Sequence, residues 1–170
     1  MIPTRRDLAL AAASLALLLG PAALAQRARA GDDPFRAYSV VVGELLQLGG
    51  CSSMSTARGD EDGARVFDRL GRQAAQDPDF SLVVNRFPVV LAQDVQAQGR
   101  PDGREVAAFT ARRIQDGVKQ QLAQQMARDN AGFVRDCDAI RARAARTGHP
   151  FPSLNEHFPA TMARFRSSGE

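Results

Sequence analysis

Apolar side chains recur at steps of three and four residues in one segment after another of this chain. That spacing leaves little room for anything but helices. Phe35, Tyr38, Val41, Val42, Leu45 and Leu48 form the clearest stripe, one face of a helix that turns every 3.6 residues. Asp33-Pro34 ahead of it supplies a capping carboxylate and a proline suited to the first turn. Gly49-Gly50 predicts its end. Cys51 to Gly63 reads as a polar loop that closes in Asp60, Glu61 and Asp62, acids favourable in the first turn of a second helix. Val66, Phe67, Leu70 and Ala74 mark that helix's inner face. Asp77-Pro78-Asp79 caps a third, where Phe80, Val83, Val84, Phe87, Leu91 and Val95 keep the period to about Gln98. Pro88 inside this run predicts a kink or a break. The stretch Ser81 to Val84 also suits a strand, but no second strand is available to pair with it.

Gly99 to Gly103 is a loop. Val106, Phe109, Ile114, Val118, Leu122 and Met126 then predict a long helix from Arg104 to Ala127, with Gln115, Gln120, Gln121, Gln124 and Gln125 on its wet side. Its repeated steps of four drift around the helix, unlike a heptad seam, which argues against a coiled-coil dimer. Phe133, Val134, Cys137, Ile140 and Ala144 continue the pattern to Gly148, as a fifth helix or as the same one bent at Asp129-Asn130. Beyond it Pro150, Pro152 and Pro159, with Phe151, Leu154, Phe158 and Phe165, predict an ordered wrap that frays at its end. The expected fold is an all-α single-domain bundle of four to five helices. The chain divides into a leader over 1–25, a flexible linker over 26–32, the helical domain over 33–148 and a Pro-containing tail over 149–170.

The leader reads as a cleaved signal peptide. Arg5 and Arg6 form a basic head, Leu8 to Leu19 an apolar run, and Ala23-Leu24-Ala25 the small residues that a signal peptidase accepts. The run is too short for the roughly 20 residues that span a bilayer core. Cleavage falls after Ala25, or after Ala30 at a second small-x-small site. The segment Thr4 to Leu10, with its paired arginines and Leu8 two places on, resembles a bacterial twin-arginine export signal. Ala9 and Leu10 stand where that signal more often carries Leu and Lys, and an ordinary Sec leader is the other reading. Either one implies a periplasmic or secreted protein. No later stretch is apolar enough to form a transmembrane segment.

In an oxidising compartment the two cysteines, Cys51 and Cys137, read as one disulfide. Closing so long a loop stabilises by roughly 4–5 kcal/mol in the chain-entropy model. It would also make the first and last helices of the bundle neighbours. Two unpaired thiols or a reactive pair are the alternatives. Asp136 and Asp138 flank Cys137, and negative neighbours oppose thiolate formation.

Composition excludes more than it assigns. The formal charge is +3, and the leader's Arg5, Arg6 and Asp7 contribute one of those units. Lys119 is the single lysine among 22 basic residues, a bias that fits a GC-rich genome better than polyanion chemistry. With no Trp and one Tyr there is no stacking platform for bases, so nucleic acid is not an expected partner. Phosphate-cradling glycine loops and haem attachment motifs are missing from the sequence, and no cofactor is expected.

Four clusters carry what chemistry there is. His149 and His157, with Glu156, lack metal-ligand spacing and could serve a site only with residues from the bundle. Asp60-Glu61-Asp62 fails the calcium-loop pattern and suits a helix start better. The serines after Cys51 lack the context of an activated nucleophile. Arg135, Arg141, Arg143, Arg146, Arg164 and Arg166 make the C-terminal quarter basic, which offers contact with an anionic surface or simply cations near helix ends. The expected function is therefore a small exported helical binding or accessory protein. Its partner would be an envelope protein or an apolar ligand seated in a groove; a face exposing Phe80, Phe87 or Phe109 as one patch would favour this reading, and a sealed core with an evenly charged surface would count against it. The alternative is an enzyme, metal-dependent or otherwise, assembled from distant residues around His149 or His157.

Overall fold

The computed structural model describes residues 32–168. The leader, with Arg5, Arg6, Ala23 and Ala25, lies outside the described residues. Within them the chain is helical throughout, in seven elements: α1 (Pro34–Ala57), α2 (Glu61–Ala75), α3 (Pro78–Ala97), α4 (Gly103–Arg128), α5 (Asn130–Thr147), α6 (Leu154–His157) and α7 (Pro159–Ser167). The count exceeds four to five because the tail folds into two further helices. Leu154 of α6, Met162 and Phe165 of α7, and Phe158 between the two helices are all buried. None of the described helices is long and apolar enough to cross a membrane.

Aspartates start most of the long helices. Asp33 accepts a hydrogen bond from the Arg36 amide, Asp60 from Gly63, Asp77 from Asp79 and Phe80, and Asp129 from Gly132. Each satisfies amides that the first turn leaves without partners. Asp129 also separates α4 from α5, which are two helices rather than one bent one.

α1 does not stop at Gly49-Gly50. It continues through Cys51 to Ala57, and the turn falls at Arg58, Gly59 and Asp60, with Gly59 at a left-handed φ of 75°. Two helical glycines disfavour such a helix by roughly 1 kcal/mol each relative to alanine. Packing outweighs that cost. Gly50 lies against the ring of the fully buried Phe133, whose Cζ would stand only 2.9 Å from a Cβ at this position. The prolonged turns then bury Cys51 and Ser55.

Pro88 does not break α3, which is continuous from Pro78 to Ala97. Val83, Phe87 and Val90 around it are sealed in the core and hold the helix against its neighbours. Phe109 is not on the inner face of α4. It is 64 % exposed, while Ala107 and Ala111 on either side are buried. Small residues let α3 and α4 pack closely, and a residue two positions from each points about 200° away from them.

α1 is the central element and packs against α2, α3, α4 and α5, while α3 also receives α6 and α7. Tyr38 stacks on Phe87 with ring centroids 4.3 Å apart. Its hydroxyl accepts a 2.7 Å hydrogen bond from the Gln115 amide. Cys51 on α1 and Cys137 on α5 stand at disulfide distance, with α-carbons 5.6 Å apart across a separation of 86 residues. This is the adjacency of first and last bundle helices that pairing requires. Asp32 ties the two ends of the described chain together. Its carboxylate accepts from the amides of Ala160 (2.7 Å) and Thr161 (3.0 Å) at the start of α7.

Candidate functional site

The tail does not lie flat on the bundle. Between it, the α2–α3 junction and the end of α5 is a cavity of about 650 Å³, a volume typical of small-molecule sites. Its shape follows from the local sequence. Gly148 ends α5 in the left-handed conformation at φ 76°. Pro150 and Pro152 then keep the chain out of helix and bending until Leu154, because proline fixes φ and disfavours helix in the residue before it. Two side chains hold this arch. Gln73 of α2 donates to the Gly148 carbonyl at 3.1 Å, and Arg143 of α5 donates to the Pro150 carbonyl at 3.2 Å. The Thr147 hydroxyl sits 2.9 Å from the His149 carbonyl.

The floor is apolar. Ala74, Phe80, Pro150 and Leu154 are buried there, and the half-buried Phe151 stacks on Phe80 with centroids 5.9 Å apart. Charge and hydrogen-bonding groups ring it: Asp77, Asp79, Arg143, His149 and Glu156. Asp77 caps α3. Asp79 accepts from Arg166 at 3.2 Å and from the Asn155 amide. Glu156 is exposed at the rim.

The histidine-bearing cluster is thus only partly assembled. His149 stands on the cavity wall together with Asp77, Asp79 and Glu156, yet two of those carboxylates already hold structural partners. His157 is exposed on α6, its Nδ1 3.0 Å from the Ser153 carbonyl. Among the described residues no three His, Cys, Asp or Glu side chains converge closely enough to hold a metal ion. Asp60 caps α2, and Glu61 and Asp62 both pair with Arg65, at 3.7 and 2.7 Å.

The aromatic patch does not form. Phe80 and Phe87 are in the core, and Phe109 stands exposed beside Arg113. The basic quarter is largely paired: Arg135 with Asp129, Arg141 with Asp138, Arg164 with Asp94 and Arg166 with Asp79. Arg143 turns inward instead.

Sequence reasoning missed Glu44. It lies on α1 and lines a second cavity of about 360 Å³ between α1 and α4. Its Oε2 is buried without a hydrogen-bond partner. Burial pushes its carboxyl up to about 8, against the opposing pull of the Arg143 charge. The signal was present: Glu44 falls three residues after Val41 and four before Leu48, inside the apolar stripe. A third cavity of about 300 Å³ borders the cysteine pair and is lined by Asp60, Asp138, Arg58 and Arg141. Compared with known proteins, the chain matches no family model, no curated protein and no solved structure, so the reading of this site rests on its own residues.

Proposed function

We propose that this is an exported binding protein, and that its ligand lodges an apolar body in the cavity beneath the tail. The observation that carries this reading is the cavity itself: an aromatic and aliphatic floor formed by Phe80, Phe151 and Leu154, under a rim with a few polar groups. That combination of apolar lining and sparse polar contacts is what small-molecule recognition uses. Export is supported by the basic head, apolar run and small-x-small ending of the leader. A cysteine pair at disulfide distance fits an oxidising compartment.

Two measurements test it. Titrating isotope-labelled protein with 2-naphthamide, an uncharged aromatic probe, should shift the amides of Phe80, Thr147, Phe151 and Leu154. Phe151→Ala should weaken binding by about tenfold, the aromatic contact being lost. Shifts spread over the surface, or none, would sink the cavity reading. Intact-mass analysis of the exported protein should show a start at Gln26 or Gly31 and a two-hydrogen deficit. A full-length reduced chain would overturn the export reading.

The second reading is an enzyme using His149. It is favoured by the placement of His149 and Glu156 on one cavity wall. Turnover of a ligand found in that cavity, abolished in His149→Ala without loss of binding, would establish it.

A further inference from the structure

Four charged side chains line the cavity beneath the tail, and three are acids. Their surroundings decide which charge is left for a ligand. The Asp77 carboxylate is occupied by the amides of Asp79 (2.9 Å) and Phe80 (3.1 Å) at the positive end of α3. Asp79 is compensated by Arg166. Glu156 stands in solvent at the rim, where water and salt screen it. Arg143 is different. It is half-buried, uses one N–H on the Pro150 carbonyl, and has further donors in a fixed planar fork. Glu44 of α1, in the cavity between α1 and α4, has a buried unpartnered oxygen and feels the Arg143 charge.

We propose, resting on the reading of this cavity as a ligand site, that the ligand carries a single carboxylate-type anionic head on its apolar body, that Arg143 holds the head, and that Glu44 governs how strongly. A bidentate guanidinium–carboxylate pair in a half-buried wall is both strong and directional. Its strength depends on what else claims the guanidinium. Below a pH of about 8 the Glu44 carboxyl is neutral and Arg143 faces the cavity uncompensated. Above it the ionised Glu44 competes for the same charge. Among the described residues the other charged group lining Glu44's cavity is Arg36, on its own helix. α4 brings Gln121 and Gln125, with Val118 and Leu122, to the cleft they share, and α2 and α3 bring no charged side chain to it.

The test compares 2-naphthoate with its uncharged isostere 2-naphthamide by titration calorimetry. At pH 7 naphthoate should bind about tenfold tighter, as a charge-assisted hydrogen bond adds to the same apolar contact. That preference should fall several-fold by about pH 9 in the wild type, and persist there in Glu44→Gln. His149 is common to both proteins, so its contribution cancels in the comparison. Arg143→Gln should lose the preference, and Arg143→Lys, which can still donate to the Pro150 carbonyl, should retain part of it. Equal affinities at pH 7 would overturn the anion reading and leave the cavity reading standing. Failure of both probes to bind would overturn both. A preference unchanged to pH 9 in the wild type would remove Glu44 from the proposal.

Discussion

The charge of Arg143 only partly offsets the burial of Glu44, whose carboxyl is raised to about 8. A glutamate in the unfolded chain ionises near its ordinary value of 4.5, whereas the folded protein holds this proton to about 8. Between those values the folded state binds more protons than the unfolded one. Stability from this group therefore falls as pH rises through that window and levels off above it. The loss is on the order of 3–5 kcal/mol at one pKa unit per 1.4 kcal/mol. Glu44→Gln, isosteric with the neutral acid, should be more stable than wild type at pH 8 by an amount of that order, and about equal to it at pH 4.5. Urea unfolding at both values checks this, and equal stabilities at pH 8 would show that Glu44 ionises freely.

The two cysteines stand at disulfide distance between the central helix α1 and α5. Replacing both residues, Cys51→Ala with Cys137→Ala, should cost about 2–5 kcal/mol. Wild type unfolded under reducing conditions should lose a similar amount. A denaturant midpoint insensitive to reductant would mean that the thiols are not joined in solution.

Gly49 and Gly50 are adjacent in sequence and opposite in surroundings. Nothing lies within 4 Å of a Cβ built at Gly49, whereas one at Gly50 meets the ring of Phe133 at 2.9 Å. Gly49→Ala should stabilise by up to about 1 kcal/mol through helix propensity. Gly50→Val should destabilise by about 1–3 kcal/mol by forcing the buried ring aside. Thermal denaturation of the two variants should move in opposite directions.

Asp32 fastens α7 to the start of the domain. Partial burial raises its pKa, but hydrogen bonds from the Thr161 side chain and the Ala160 and Thr161 amides together hold it below the ordinary value. Its contribution is thus present above the unfolded aspartate pKa and lost as pH falls through the lowered folded value. Asp32→Ala should cost about 1 kcal/mol, as for other lost helix caps. Amide exchange should quicken over Ala160 to Phe165 before the rest of the bundle responds.

The helical character of residues 33–148, the aspartate starts of α1 and α3 and the proximity of the two cysteines could be read from the chain, because each is a local pattern or a count, whereas the tail helices α6 and α7 could not. Apolar residues at steps of three and four name a helix wherever they occur, and Asp33, Asp60, Asp77 and Asp129 act within three residues of themselves. The true end of α1 could not be read, since Gly50 stays helical only because Phe133, 83 residues later, packs on it. The inward Arg143 looked like any other arginine of a basic segment. The cavity exists because Pro150 and Pro152 arch over a junction formed by three other helices. Local sequence determined that the apolar stripes between residues 33 and 148 become helices. Tertiary structure decided which glycine continues a helix, which acid is buried and which arginine lines the cavity, because those outcomes depend on neighbours distant in the chain.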